Sequence, residues 1–413
     1  MGTNIKKRYP TYLKEFKCIG GACEDSCCIG WNIDIDKITF RQYYKVKDEK
    51  MKKMFQKNVH NNEYKTSDDV DYGQVKLKKD KRCPFLDEKN YCIIQSNLGE
   101  EYLSNVCTSF PRILNKIDGF YEMSLDVSCP EAARILLLKE EGIKFSKSEE
   151  TLGKHIISSE VNTKDKIFNN SPVKYFKEIR DLSIKIIQNR KFDINERLYI
   201  LGEFISSLEE EVSYNFKGVK QFIENYNINK MRDYYGKDNM SYIISLDFFK
   251  KVMKFFKNFR EVDSPLFKEH TEDIIKAFKL NEDDNLSKYS KEYIKAFEDY
   301  NKEFLYKNSY IFENYIVNFI YNYMFPFSEN DSMFDGYIML LMRYSLIRFY
   351  LVGMYLKNET ASKEEIVKFI QLFSKGLGHH KNYLTDMLKY IKEKEFDNLE
   401  FCKNHLGLSN FNF

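Results

Sequence analysis

The sequence has almost no excess of charge of one sign. Its 65 lysines and arginines are balanced by 62 aspartates and glutamates, which gives a formal net charge of +3. A dedicated nucleic-acid-binding protein carries a concentrated basic surface, so we expect no nucleic-acid partner. No run of 18 apolar residues is present either, because the most apolar stretches contain Arg, Asn or Lys within every turn or two. A transmembrane helix needs such a run, so we also expect no membrane partner.

The beginning of the sequence lacks recognisable targeting signals. It has no apolar stretch of the kind that forms a secretory signal peptide, and Lys6 stands where a myristoylation signal has Ser or Thr. We therefore expect a cytoplasmic protein, in which thiols stay reduced and crowded cysteines indicate metal ligands or catalysts rather than disulfides.

Helical signals dominate the sequence from residue 128 onward. Three capping boxes, in which Ser or Asp is followed three residues later by Glu, begin at Ser128, Asp193 and Ser362. No fixed-period repeat is visible, which argues against a solenoid. We predict a mainly α fold whose multi-helix body includes helices near 171–187, 193–212, 241–260, 287–306, 310–325, 336–356, 362–375 and 380–394. Polar segments at 145–170, 261–285 and 328–334 are predicted linkers.

Cysteine is distributed very unevenly. Eight of the nine cysteines lie before residue 130, and only Cys402 lies beyond. This first part has little helical periodicity, apart from a predicted helix over 37–58. We expect it to be rich in loops, with a candidate strand over 31–36 and a polar loop over 60–75. We predict a cysteine-rich metal-binding module over 1–135 and a helical domain over 136–413, which completes the cofactor or substrate site. The candidate metal ligands are Cys18, Cys23, Cys27, Cys28, Cys83, Cys92, Cys107 and Cys129.

The spacing of these cysteines favours an iron–sulfur cluster, with zinc as the alternative metal. Thiolates suit both, but structural zinc sites usually use two tight pairs, and only the first group here is tight. Cys27 and Cys28 are adjacent and cannot easily bind the same ion, so one packs while the other binds metal, or the two serve different centres. The cysteine spacing of radical-generating enzymes is broken by Cys28. The spacing leaves open which four cysteines are ligands.

Several strings around these cysteines resemble the flagellin lysine-N-methylase family, whose N-terminal part shares its layout with a broader zinc- or iron-chelating cysteine-cluster family. The similarity is densest before residue 135 and continues, more sparsely, into the C-terminal half. The matching residues are Tyr9-Pro10-x-Tyr12, Phe16-Lys17-Cys18-Ile19-Gly20-Gly21-x-Cys23-Glu24-Asp25-Ser26-Cys27-Cys28, Gly30-Trp31, Cys83-Pro84-Phe85-Leu86-Asp87, Tyr91-Cys92, Phe110-Pro111-Arg112, Ser128-Cys129-Pro130-Glu131, Glu313-Asn314-Tyr315 and Phe325-Pro326-Phe327.

The resemblance implies transfer of a methyl group from S-adenosylmethionine to lysines of flagellin, together with an iron–sulfur cluster of the 4Fe-4S type bound by the N-terminal cysteines. No Gly-rich turn of the Rossmann type follows a strand, and Gly376-x-Gly378 is better interpreted as a helix C-cap. The candidates for positioning or proton transfer are Asp25, Asp34, Asp36 and Glu313. The candidates for cofactor binding are Trp31, Arg112 and Asn314.

Two other functions remain compatible with the residues. In one, a zinc or iron–sulfur module stabilises a helical protein-binding scaffold without catalysis. In the other, the protein is a redox or iron sensor in which the adjacent Cys27 and Cys28 form the switch.

Overall fold

The structure is a computed structural model, and it describes residues 4–151, 153–231, 235–237, 239–255, 264–328, 332–358, 361–377 and 381–410. The chain divides into two compact units. Unit 1 contains residues 1–135 and returns for Lys144–Asn162, and unit 2 contains Leu136–Ile143 and Thr163–Phe413. The segment 144–162 therefore belongs with the cysteine-rich part, whereas the sequence placed it in the helical domain.

Helices make up most of the described chain, which confirms the mainly α prediction. Those of unit 1 are α1 (Lys37–Tyr44), α2 (Glu49–Asn58), α3 (Ile93–Leu98), α4 (Asn105–Ser109) and α5 (Pro130–Leu137), which runs across the boundary between the units. Those of unit 2 are α6 (Phe176–Ile187), α7 (Ile194–Tyr214), α8 (Val219–Asn225), α9 (Met240–Phe255), α10 (Pro265–Ala277), α11 (Asn285–Lys288), α12 (Ser290–Tyr300), α13 (Ser309–Asn322), α14 (Met333–Asn358), α15 (Lys363–Gly376), α16 (Lys381–Glu393) and α17 (Leu399–Leu406).

Unit 1 contains a five-stranded mixed sheet that the sequence did not predict. Its strands are β1 (Asn4–Pro10), β5 (Arg112–Ile117), β6 (Phe120–Leu125), β7 (Phe145–Thr151) and β8 (Ile157–Val161), in the order β7-β1-β6-β5-β8. The β5–β6 and β1–β7 pairs are antiparallel, and the β1–β6 and β5–β8 pairs are parallel. The predicted linker over 145–170 is therefore wrong, because β7 and β8 both lie in it.

A second, three-stranded sheet packs into the cysteine-rich core of unit 1. Its strands are β2 (Asp34–Ile35), β3 (Val59–Asn61) and β4 (Gly73–Val75), in the order β2-β4-β3. Tyr43 of α1 stacks on Phe55 of α2 with ring centroids 3.8 Å apart, and Phe55 contacts Phe85. Cys83 is buried in this same cluster, with Cys28 and Cys92 packed against it. The predicted strand at 31–36 is present only over its end, and the predicted helix over 37–58 is two helices, α1 and α2.

Unit 2 is built around α14, which is buried for most of its length. It packs against α7 so closely that a Cβ added to Gly202 would lie 2.4 Å from the Tyr337 ring. Within the described residues, α14 is the one helix that is long and apolar enough to cross a membrane. However, 94% of its apolar window is buried inside the protein, as in the central helix of a folded core. Unit 2 also contains a short antiparallel pair, β9 (Tyr235–Lys237) with β10 (Leu408–Asn410).

The capping signals located two helices of unit 2 correctly. Asp193 and Ser362 each form a capping box with the glutamate three residues later. In contrast, α10 falls inside the predicted linker over 261–285, although Ser264 caps it and Pro265 occupies its first turn. The α15 helix ends at Gly376 as expected, and Gly378 lies outside the described residues, as does the middle of the predicted linker over 328–334.

We predict that Asp193→Ala lowers the free energy of unfolding by about 1 kcal/mol. The reason is that Asp193 Oδ1 accepts hydrogen bonds from the backbone N–H groups of Asn195 and Glu196, each at 2.9 Å. Urea denaturation followed by circular dichroism measures the change. Asp193→Asn is the matched control, because its amide oxygen can accept the same bonds. Equal losses in both variants would contradict the capping role.

Candidate metal centre and cofactor pocket

Loops of unit 1 bring three cysteines from distant parts of the chain together at the core. The backbone N–H of Cys83 donates to the carbonyl of Cys28 at 2.9 Å. Leu86 and Cys92 form an isolated antiparallel bridge, and the N–H of Ile93 donates to the carbonyl of Phe85 at 2.9 Å. These main-chain bonds fix the relative positions of Cys28, Cys83 and Cys92 without any disulfide, since all nine cysteines are free.

Cys107 joins this group through α4, which is held by the strand β2. Ser104 caps α4 by accepting from the Cys107 N–H at 3.2 Å, and its hydroxyl donates to the Asp34 carbonyl at 3.0 Å. Asp36 is buried and uses both carboxylate oxygens. Oδ1 accepts from the Thr39 N–H at the start of α1, and Oδ2 accepts from the Asn105 N–H at the start of α4, each at 2.9 Å. Asp36 thus positions the helix that carries Cys107.

The thiols of Cys28, Cys83, Cys92 and Cys107, which we call the four-cysteine group, all interact electrostatically with one another. Burial, followed by the charges of the other thiolates, raises the pKa of Cys83 to about 12. Burial likewise raises the pKa of Cys107 to about 12, even though the residue as a whole keeps exposed surface. Crowded thiolates repel one another, and a bound cation would remove that repulsion.

Three sulfurs of the four-cysteine group, those of Cys28, Cys83 and Cys92, also accept hydrogen bonds, which favour the thiolate form. The donors to Cys28 are the thiol of Cys27 and the hydroxyl of Ser26. The donors to Cys83 and Cys92 are backbone N–H groups of the residues that follow them. Hydrogen bonds to sulfur are a feature of iron–sulfur and zinc thiolate sites, so the chemistry of this donor set fits a thiolate-bound metal.

A second group consists of Cys18, Cys23 and Cys129, whose thiols interact with one another. Burial raises the pKa of Cys129 to about 11, against hydrogen bonds from the N–H groups of Glu131 and Ala132. Cys27 lies between the two groups. It is hydrogen-bonded to Cys28, which raises its pKa and lowers that of Cys28, and it also feels the charges of Cys107 and Cys129. Cys27 and Cys28, although adjacent in sequence, therefore have different surroundings.

Among the residues that the structure describes, no three Cys, His, Asp or Glu side chains are arranged to hold one metal ion. The predicted metal-binding character of the N-terminal part therefore stays a prediction. The structure shows the thiols gathered into neighbourhoods and does not show a closed coordination site.

The remaining acidic candidates of unit 1 lie close to the cysteines. Asp34 is half-buried, and its Oδ1 accepts from the Gln74 amide at 3.1 Å. Burial raises the pKa of Asp34, partly offset by that hydrogen bond. The backbone of Asp25 donates to the Cys23 sulfur. Trp31 packs edge-on against Phe110, with ring centroids 5.3 Å apart, and so lies near the start of β5.

Glu313 and Asn314 occupy a different place from the other candidates, because both belong to unit 2. Glu313 is buried and accepts from Arg190 through both oxygens at 2.9 Å, and from Arg197 at 2.6 Å. The amide of Asn314 donates to the carbonyls of Leu137 and Lys139 at 3.2 and 2.8 Å. These bonds tie α13 to the end of α5, to the segment that follows it and to α7. A structural role explains both side chains.

A cavity of about 430 Å³ opens on the five-stranded sheet of unit 1 and contains the predicted cofactor-binding residue Arg112. The other polar side chains in its wall, including Tyr9, Lys14, Thr108 and Lys154, were not predicted from the sequence. The sequence contained hints for two of them: Tyr9 belongs to one of the strings that resemble the methylase family, and Thr108 directly follows Cys107. No sequence feature indicated Lys14 or Lys154, because strand pairings between residues far apart in sequence bring them to the cavity.

The fold and this site define a class: a cysteine-cluster protein in which a small mixed-sheet unit accompanies a larger helical one. The chain belongs to the FliB lysine N-methylase family, because residues 180–404 match the family described as the FliB lysine N-methylase C-terminal domain. This confirms the resemblance found in the sequence.

Curated relatives agree with this assignment. The chain is 35% identical over 133 residues to the flagellar biosynthetic protein FliU of Salmonella muenchen, covering 31% of this chain and 75% of that protein. It is 33% identical over 159 residues to the lysine-N-methylases of Salmonella typhimurium and Salmonella choleraesuis, covering 37% of this chain. The aligned part spans only 36% of each lysine-N-methylase. No solved structure matches the chain.

We predict that Glu313→Gln lowers the free energy of unfolding by about 3 kcal/mol, because it leaves the buried Arg197 guanidinium without its counter-charge. Urea denaturation measures the loss. Glu303→Gln is the matched control: it removes an exposed carboxylate paired with Lys307, and we expect no measurable change in stability. If Glu313→Gln kept full stability but abolished methyl transfer, Glu313 would be catalytic, as the sequence suggested.

Proposed function

We propose that this protein is a cytoplasmic, S-adenosylmethionine-dependent lysine N-methyltransferase that acts on flagellin and carries an iron–sulfur cluster. Membership of the FliB lysine N-methylase family carries the proposal. The name lysine-N-methylase of two relatives supports the reaction, and the name flagellar biosynthetic protein of another supports the flagellar substrate.

The reaction class sets requirements that the residues of this chain would have to meet. Bound S-adenosylmethionine would supply an electrophilic methyl group on a sulfonium. The accepting lysine amine must be neutral, although its ordinary pKa is near 10.4, so its proton must pass to a base.

Asp34 is better suited than Asp36 to accept that proton. Asp36 commits both oxygens to the starts of α1 and α4, whereas Asp34 receives one amide hydrogen bond at its Oδ1. Burial raises the pKa of Asp34, and a base with a raised pKa accepts a proton more readily than a solvated carboxylate does.

The four-cysteine group is our proposed ligand set for the cluster. Its members are mutual neighbours, and the sulfurs of Cys28, Cys83 and Cys92 receive hydrogen bonds. Zinc is the alternative metal for the same thiolates. The group of Cys18, Cys23 and Cys129 is then left for a second centre or for packing.

We expect anaerobically purified protein to contain iron and acid-labile sulfide, and Cys83→Ser to lose both. The matched control is Cys402→Ser, which removes a buried thiol of unit 2 and should keep the iron. Protein that contains zinc but no sulfide would show that zinc occupies the site instead of the cluster.

Incubation with S-adenosylmethionine and flagellin, followed by mass spectrometry of lysine-containing peptides, tests the reaction. Protein that holds its metal but adds no methyl group to flagellin would be a metal-stabilised scaffold or a sensor.

We expect Asp34→Asn to lower kcat about 100-fold, the size typical of losing a general base, with KM for flagellin nearly unchanged. Because a base works in its deprotonated form, the wild-type rate should rise with pH through the pKa of Asp34, and this rise should be absent in the variant. The exposed Asp69→Asn change is the control. A loss of iron in Asp34→Asn would indicate a positioning role instead.

A further inference from the structure

The cavity of unit 1 lies on one face of the five-stranded sheet. Its wall includes alternate residues of β1 and β5, the two strands on either side of β6: Lys7 and Tyr9 of β1, and Arg112 and Leu114 of β5. Alternate residues of a strand point to the same face, so these side chains converge. A volume of about 430 Å³ is in the range of small-molecule sites.

The positive charge in this wall is only partly neutralised. Lys7 pairs with Glu150. Lys154 instead donates to the carbonyls of Glu101 and Leu103 at 2.7 and 3.2 Å, which solvate its ammonium group but do not cancel the charge. Arg112 forms no ion pair with the residues that the structure describes, and its guanidinium lies 5.3 Å from the centre of the Phe16 ring. The cavity therefore has unpaired positive charge for an anionic group.

Two further features indicate a ligand with both a polar and an apolar part. Thr108 directly follows Cys107, and its hydroxyl is buried at the cavity wall without a hydrogen-bond partner among the described residues. Leu13, Met123 and Ile156 supply apolar wall elsewhere in the same cavity. A buried hydroxyl without a partner is unfavourable, so a bound polar group would satisfy it.

We propose that this cavity binds the amino-acid end of the methyl donor, with the donor's carboxylate on the guanidinium of Arg112. The proposal rests on the proposed function for the identity of the donor. An arginine suits a carboxylate because its planar fork donates two parallel hydrogen bonds. The position of Thr108 beside Cys107 places the site next to the four-cysteine group.

Isothermal titration calorimetry of the full chain with two ligands tests the proposal. S-adenosylhomocysteine carries the carboxylate, whereas 5′-methylthioadenosine keeps the nucleoside and the thioether but lacks it. We expect Arg112→Gln to weaken S-adenosylhomocysteine at least about tenfold, the size of a lost hydrogen bond to a charged group, and to leave 5′-methylthioadenosine unchanged. Arg112→Lys should fall between, because it keeps the charge but not the fork.

The control variant is Arg41→Gln, an exposed arginine of α1 outside the cavity wall, which should bind both ligands as the wild type does. Circular dichroism and iron content verify that each variant is folded. If Arg112→Gln binds S-adenosylhomocysteine normally, or weakens both ligands equally, the carboxylate lies elsewhere and this inference fails while the proposed function stands. If the wild type binds neither ligand and methylates no flagellin, the proposed function fails as well.

Discussion

The carboxylate of Asp36 is the constraint on which the geometry of the candidate centre depends. This one buried group accepts a backbone hydrogen bond at the start of each of two helices, α1 and α4, and the two bonds have the same length. Since Cys107 lies in the first turns of α4, its distance from the other thiols is set by a residue more than 70 positions away in sequence. A small unit gains order from such a pair of bonds, because one carboxylate satisfies a backbone N–H at the start of each of two helices.

The helical part of the fold could be predicted because its signals are local. A capping box and an apolar period are complete within a dozen residues, and Asp193 and Ser362 illustrate this. The five-stranded sheet could not be predicted in this way. The strand β7 reads Phe-Ser-Lys-Ser-Glu-Glu-Thr, which is the composition of a solvated linker, and it becomes a strand only by pairing with β1, about 140 residues earlier. The helix α10 is a different case, since Ser264 and Pro265 were available as a start signal and were outweighed by the polar residues around them.

The candidate site was predicted in parts, for the same reason. The eight cysteines and Arg112 are visible by residue type, but their grouping depends on which loops meet. Glu313 and Asn314 were selected from the sequence as candidates for proton transfer and cofactor binding, and both are buried. Their partners are distant in sequence: Arg190 and Arg197 for Glu313, and the carbonyls of Leu137 and Lys139 for Asn314. From the sequence alone, Glu313 was a candidate for catalysis. Its ion pairs with Arg190 and Arg197 explain it as a structural residue.

The position of β1 between β7 and β6 bears on how the protein can be divided for study. A fragment ending at residue 135 would contain every cysteine of unit 1 but would lack β7 and β8. Both β1 and β5 would then become edge strands with unpaired backbone groups, which favours association between chains. The cysteine-rich half is thus a discontinuous piece of the chain. A shortened version of the protein that contains only unit 1 must therefore keep Lys144–Asn162. A short linker would have to replace the eight residues Leu136–Ile143, which belong to unit 2.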